Sequence, residues 1–292
     1  MKDHSLSQSM ALAAQMDAPS TVSINSIPKL KGLLRELNGL PDKIPSIFID
    51  VTGVGKNVLV ELLLLIMPAN TLYVINMERF DTSALSVVDG NETSLRNILE
   101  SRTIKKVGFD IRGMSRLFHQ MGVSLDGMWD IQLLELASRD YRESKKFLAG
   151  LDKCINQDIP CPNSAKARWL AAGHSANGQP FGAFKHVPRQ RMQRVEIFPA
   201  LWSTYRHRIH VPDNAFWLVA ARTESWRRVQ ESKDSRRKHE EQHMGPTAWW
   251  DEEQLWEKME VWNEELFLER RLGEYELNED AEWVRTGLFV QY

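Results

Sequence analysis

The chain has 292 residues, 42% of them hydrophobic, and a formal net charge of −2. That length can bury a full core, and the balanced charge excludes a chain-wide polycation built for nucleic acid or a membrane surface. Only two cysteines occur, Cys154 and Cys161. They exclude a disulfide framework and imply a reducing, intracellular compartment, cytoplasmic or nuclear. Their spacing is a poor zinc pattern, and His186, His207, His210, His239 and His243 form no ligand-like group. The segment Met1 to Ser20 lacks a signal-peptide core. The apolar run Val58 to Met67 is too short to span a bilayer, so no membrane association is expected.

Residues 1–25 are rich in Ser, Ala and Gln and are expected to be disordered. Ser26 opens a helix with Pro28 near its start, Leu30, Leu33, Leu34 and Leu37 on one face, and Gly39 as its stop. Ser46–Val51, Val58–Met67 and Thr71–Asn76 read as three strands. Their tight connections imply an antiparallel meander, because parallel strands need long crossovers. Strand and helix then alternate. A helix capped at Thr93 runs to Glu100, a strand covers Lys106–Asp110, and a helix carries Ile111, Met114, Leu117, Phe118 and Met121 on its apolar stripe. A short strand at Met128–Asp130 leads into a helix over Ile131–Ser138. The predicted fold is α/β, a mixed central sheet flanked by helices. Beyond Asp140 only helices are expected, over 145–156, 164–172, 189–208 and 216–239, with a Gly- and Pro-containing loop at 173–188. Asp251, with Gln254 three residues on, offers a capping box for a final helix.

The run Asp50-Val-Thr-Gly-Val-Gly-Lys56-Asn57 imitates a phosphate-binding loop. Asp50 stands where the first Gly belongs, and Asn57 replaces the metal-binding hydroxyl. The following segment lacks the polar face of a helix, so a loop between two strands is the expectation.

Five segments in consistent order carry a family resemblance. Ile47-Phe-Ile-Asp-Val-Thr-Gly53 resembles the first motif of the DEDDy-type 3′–5′ exonuclease domains, the ribonuclease D-like group of the ribonuclease H-like superfamily. Ser94–Ser101 and Lys105-Lys-Val-Gly-Phe-Asp-Ile-Arg112 resemble the approach to the second motif. Trp129–Ser138 resembles the segment that follows, and Phe198–Tyr205 the end of the third motif's helix. The resemblance covers roughly residues 27–210 and implies a domain at 26–210. It also implies hydrolysis by two divalent cations, Mg²⁺ or Mn²⁺, about 3.5–4 Å apart and held by four carboxylates.

Carried over position by position, that set is degraded. Asp50 is the surviving first-motif aspartate, while Thr52 replaces the glutamate. The second-motif aspartate falls on Met114; Asp110, four residues earlier at a strand end, is a weaker catalytic candidate. The third-motif aspartate falls on Arg194 and its tyrosine on Gln190. Glu196, two residues on, is turned about 200° around the helix and cannot substitute for Arg194. Three of the four carboxylate positions are therefore lost, and Asp50 and Arg194 sum to zero charge. No metal is expected unless the chain is active, when Mg²⁺ or Mn²⁺ would serve. A lone aspartate on a buried strand needs a counter-charge, so Arg194 is expected to pair with Asp50; the alternative is that Arg194 points to solvent.

The carboxy-terminal third is polarised. From Lys185 to Lys238 there are 13 Lys or Arg against 5 Asp or Glu; from Asp251 to Arg285 there are 4 against 13. These define a basic helical extension at 211–245 and an acidic amphipathic tail at 246–292. Arg189, Arg191, Arg194, Arg206 and Arg208 are the nucleic-acid-binding candidates, interleaved with Trp202, Tyr205, Trp217 and Trp226 for base stacking. The alternative is a pair of solvated helices whose aromatics face the core. The stripe Leu255, Met259, Trp262 and Leu266 can dock on its own domain, on a protein partner or on a second copy through 251–272. Three functions stay open. The chain is an impaired exonuclease-like domain binding RNA or single-stranded DNA, or acting as a scaffold; an active metal-dependent exonuclease; or a protein-interaction module working through its tail.

Overall fold

The computed structural model describes residues 17–40, 45–53, 58–80, 82–140, 143–171, 188–209, 215–233, 243–272, 275–277 and 283–285. Its centre is a six-stranded mixed sheet. In chain order the strands are β1 (Ser20–Ile24), β2 (Ile47–Thr52), β3 (Glu61–Ile66), β4 (Thr71–Asn76), β5 (Lys106–Gly108) and β6 (Met128–Asp130). In space they run β1-β4-β3-β2-β5-β6. The expected meander is present: β2, β3 and β4 pair antiparallel, with Asp50 opposite Leu63. Beyond it, β5 and β6 continue parallel to β2.

One expectation fails at the amino end. Residues 20–24 lie within the segment read as disordered, yet they form β1, parallel to β4 at the sheet edge. Thr21, Val22 and Ile24 are β-branched and suit a strand, and Ile24 is buried. Residues 1–16 lie outside the described residues.

The period of two along β2 divides the core. Ile47, Ile49 and Val51 face one layer, where α1 (Ile27–Leu37), α2 (Met77–Phe80), α3 (Ser83–Ser86), α4 (Leu95–Glu100) and α5 (Arg112–Gln120) pack. Phe48 faces the other, with α6 (Ile131–Ala137), α7 (Leu151–Asp158), α8 (Ser164–Ala171) and α9 (Pro188–Ile209). Asp50, two residues beyond Phe48, belongs to this second face, the one that α9 covers. Helix α10 (Ala215–Glu231) lies against β6 and closes that end of the sheet. Its Trp217, Leu218 and Ala221 join the α9-side core, and its Val229 joins the other.

Several boundaries move for local reasons. The helix expected from Lys145 begins only at Leu151, because the Lys145 ammonium is drawn back to the carbonyls of Leu136 and Arg139. The α4 cap is Ser94 rather than Thr93; its hydroxyl accepts from the Asn97 backbone N–H. Helix α10 ends at Glu231, short of His239, and residues 234–242 lie outside the described residues.

After the short turn Thr247–Trp249 comes α11 (Glu252–Leu272), capped by Asp251, whose Oδ1 accepts from Gln254 N at 3.1 Å. The tail docks on its own domain. Trp249 and Leu255 are buried, Trp249 meets Trp217 edge-on at 5.4 Å, and Trp262 meets Phe216 at 6.1 Å. The strands β7 (Tyr275–Leu277) and β8 (Trp283–Arg285) pair antiparallel beyond it. No helix among the described residues is long and apolar enough to cross a membrane.

Candidate functional site

At the carboxy end of β2, Asp50 projects beneath α9. There Arg194 Nε donates to Asp50 Oδ2 at 2.8 Å, and the Val51 backbone N–H donates to Oδ1 at 2.9 Å. Both oxygens are thereby engaged, and the ion pair expected from the sequence is present. Glu196, two residues along α9, turns away and pairs with Arg168 at 3.4 Å. That geometry fixes the register of α9 over the strand: Arg194, not Glu196, faces Asp50.

Thr52, on the same face of β2, is buried, and its hydroxyl donates to Glu61 Oε2 at 3.2 Å. Glu61 is the cross-strand partner of Thr52, so β3 brings a carboxylate beside Thr52. The sequence placed Glu61 only in an apolar run; its position becomes readable once β2 and β3 are paired in register. The chain between them turns at Gly53, whose φ is +95°. A Cβ there would lie 1.9 Å from the Val58 carbonyl oxygen. Residues 54–57 of the phosphate-loop imitation lie outside the described residues, but Val58 onward leads into strand β3 rather than a helix. The structural context that a phosphate loop requires is missing.

Met114 is buried in the α5-side core with Leu117 and Phe118. Asp110 sits at the turn from β5 to α5 with φ +50°, a left-handed conformation that Asp tolerates better than most residues. Arg112 grips it with a fork: Nε to Oδ1 at 2.6 Å and Nη2 to Oδ2 at 2.9 Å. Burial pushes the Asp110 pKa up, but the hydrogen bonds and charge of Arg112, with the charges of Arg228 and Arg194, outweigh it. The carboxyl is held below its ordinary value. Desolvation likewise opposes the charge on Arg112, yet Asp110, Asp130 and Glu231 raise its pKa.

Asp130 organises this corner. Its Oδ1 accepts from the backbone N–H groups of Asp110 and Gln132, both at 3.0 Å. Its Oδ2 accepts from Ile111 N at 3.1 Å and Arg228 Nη1 at 2.6 Å. Asp130 is fully buried and also caps α6. Three aspartate–arginine pairs thus stand along the strand ends: Asp50–Arg194, Asp110–Arg112 and Asp130–Arg228.

The donor set does not fit two divalent cations. Such ions need several hard, anionic oxygens to replace their water. In the alignment expected from the sequence, Thr52, Met114 and Arg194 stand at three of the four ligand positions, and the Arg194 guanidinium neutralises Asp50 at the fourth. Among the described residues, no group of three His, Cys, Asp or Glu side chains converges where it could hold a metal ion.

The basic candidates are dispersed. Arg194 serves Asp50. Arg208 pairs with Asp158 at 2.9 Å and lies over Tyr205, while Arg206 lies over Trp202. The side chains of Arg189, Gln190 and Arg191 lie outside the described residues, as do Lys185 and 234–238. Of the aromatics expected to stack on bases, Tyr205 and Trp217 are buried in the core and Trp202 is half-buried against Trp129. Trp226 is exposed.

No protein-family model and none of the curated proteins matches the chain. Solved structures do. Trypanosoma brucei RNase D in complex with RNA U12 superposes with a TM-score of 0.59 at 14% identity, covering 84% of this chain and 81% of that one. The same enzyme alone gives 0.58 at 15%, covering 80% of each chain, and its GMP complex gives 0.53 at 13%, covering 95% and 85%. At such identities the likeness is one of fold. The chain has the α/β ribonuclease H-like architecture of RNase D.

Proposed function

We propose that this chain is a ribonuclease D-like 3′–5′ exonuclease domain whose metal centre has been replaced by ion pairs, and that it holds single-stranded RNA or DNA without cleaving it. The observation that carries this reading is the Arg194–Asp50 pair at 2.8 Å. Four carboxylates would give a site charge of −4, matched by two divalent cations. Asp50 with Arg194 is neutral by itself, so little remains to offset the cost of stripping water from Mg²⁺ or Mn²⁺. The pairing also supports the motif alignment, since it joins the first-motif and third-motif positions across the fold. Nucleic-acid binding draws support from the RNA carried by the similar RNase D structure. The free thiols of Cys154 and Cys161 suit an intracellular, cytoplasmic or nuclear, setting.

A second reading, a protein-interaction module, draws on α11. Its Trp256 and Val261 are exposed while Leu255 on the same helix is buried against the domain.

The test is degradation of 5′-labelled single-stranded RNA and DNA with Mn²⁺ and with EDTA, beside Asp50→Ala. Intact oligonucleotides in every lane, with a mobility shift in the same samples, are the expected outcome. A metal-dependent ladder from the 3′ end that Asp50→Ala abolishes would overturn the loss of catalysis. Intact oligonucleotides without a shift would favour the interaction module.

A further inference from the structure

Beyond the segment Trp129–Ser138, Phe147 pairs with Met244 as an isolated antiparallel bridge. Leu148 N donates to His243 O at 2.9 Å, and Gly245 N donates to Lys146 O at 2.8 Å. The bridge is held from below as well. Arg139 Nη1 donates to Phe147 O at 2.8 Å, and Arg139 is itself fixed by a two-pronged contact with Glu135. Gly245 admits no side chain: a Cβ would lie 2.6 Å from Lys145 O. Trp250 Nε1 donates to Gly245 O at 3.0 Å.

This bridge presents aromatic surface to water. Phe147 is 52% exposed. The His243 ring, also exposed, lies nearly parallel to it, with centroids 6.2 Å apart and planes 10° from each other. The Lys146 ammonium stands beside them, 5.8 Å from the Phe147 centroid and 5.6 Å from that of Trp250.

We infer that Phe147 and His243 form a stacking platform for an unpaired nucleobase, with Lys146 taking the adjoining phosphate. Flat aromatic faces stack on bases regardless of sequence, and a neighbouring cation adds the electrostatic component that tracks the backbone. Parallel rings held on paired backbone arrive pre-oriented, so little conformational freedom is lost on binding. The inference rests on the reading that the chain binds single-stranded nucleic acid, and it assigns that binding to residues other than the Asp50–Arg194 pair.

The test is titration of the full chain into a fluorescein-labelled single-stranded oligouridylate in EDTA, followed by anisotropy over a range of salt. Phe147→Ala is expected to weaken binding roughly 5- to 150-fold, the range found when one stacking residue is removed. Phe147→Trp should restore it, and Lys146→Gln should lower the slope of log affinity against log salt by about one. Because the Phe147 ring is half in solvent, its removal should leave the melting temperature close to that of the parent, which the same samples report. Wild-type binding matched by Phe147→Ala and Lys146→Gln would overturn the platform while leaving the nucleic-acid reading standing. An absence of wild-type binding would remove both.

Discussion

Arg194 and Arg228 each neutralise one aspartate, yet the two pairs differ in burial. The Arg228 and Asp130 side chains are 8% and 0% exposed, against 21% and 13% for Arg194 and Asp50. Removing one partner of a buried pair leaves a charge without its counter-charge. Arg228→Met should therefore cost about 3–5 kcal/mol in urea denaturation, and Arg194→Ala less, about 1–3 kcal/mol, because water reaches that pair. Arg194→Asp should be worse than Arg194→Ala, since two carboxylates would then meet. An unchanged melting temperature in Arg194→Asp would show that the pair holds nothing together. The Asp50–Arg194 contact was legible in the sequence because motif order fixes which α9 residue meets β2. The Asp130–Arg228 contact was not. Its residues lie 98 positions apart, and Arg228 carries no local signal that separates it from the other basic residues of its block.

Three lysines act as helix stops. Lys106 Nζ donates to Ile98 O and Ser101 O at the end of α4, both at 2.8 Å. Lys145 donates to Leu136 O and Arg139 O after α6, and Lys166 to Asn156 O and Ile159 O after α7. Each satisfies carbonyls that a helix end leaves unpaired and complements its dipole. Burial pushes Lys106 down to about 7 and Lys145 to about 8, the latter helped by the charge of Arg139. From those values up to the ordinary 10.5, the unfolded chain binds the proton more tightly than the folded one. Stability should therefore rise with pH across that window, by at most about 1.4 kcal/mol per pH unit for each lysine. Burial raises the Cys154 thiol from 9.0 to about 12, which acts in the opposite sense above pH 9.0. Urea denaturation from about pH 7 to 9 should show the rise, and Lys106→Met should remove its share; a flat profile in the parent would contradict the assignment. The strands were legible from apolar runs bounded by turn residues. β1 was not, because Ser20, Thr21 and Ser23 resemble a solvated segment until β4 supplies the partner.

The carboxy-terminal segments complete the domain rather than hang from it. Trp249 and Leu255 enter the α9-side core, and Trp217 is clasped between Trp249 and the Lys145 ammonium, 4.4 Å from its ring. Truncation after Gly245 should cost several kcal/mol, at about 1.5–3 kcal/mol for each large apolar side chain uncovered. Thermal denaturation of the truncated chain checks this; an unchanged transition would mean that the tail contributes nothing to the core. The opposite charges of the basic block and the tail were visible in the composition, but charge did not reveal the mode of docking. The contacts found are aromatic, Trp249 on Trp217 and Trp262 on Phe216. The overall architecture was readable because five segments agreed in order. The dispersal of the basic side chains was not, since the partners of Arg206 and Arg208 depend on the packing of α9.

Titration calorimetry of Mn²⁺ into the full chain tests the proposed loss of the metal centre most directly, with Asp50→Ala as the comparison. With Asp50 neutralised by Arg194, and with Thr52 and Met114 at the positions that the proposal reads as former ligands, the wild-type chain should show no saturable heat beyond that of the variant. Stoichiometric uptake of two Mn²⁺ ions by the wild type, abolished in Asp50→Ala, would contradict it and restore the exonuclease.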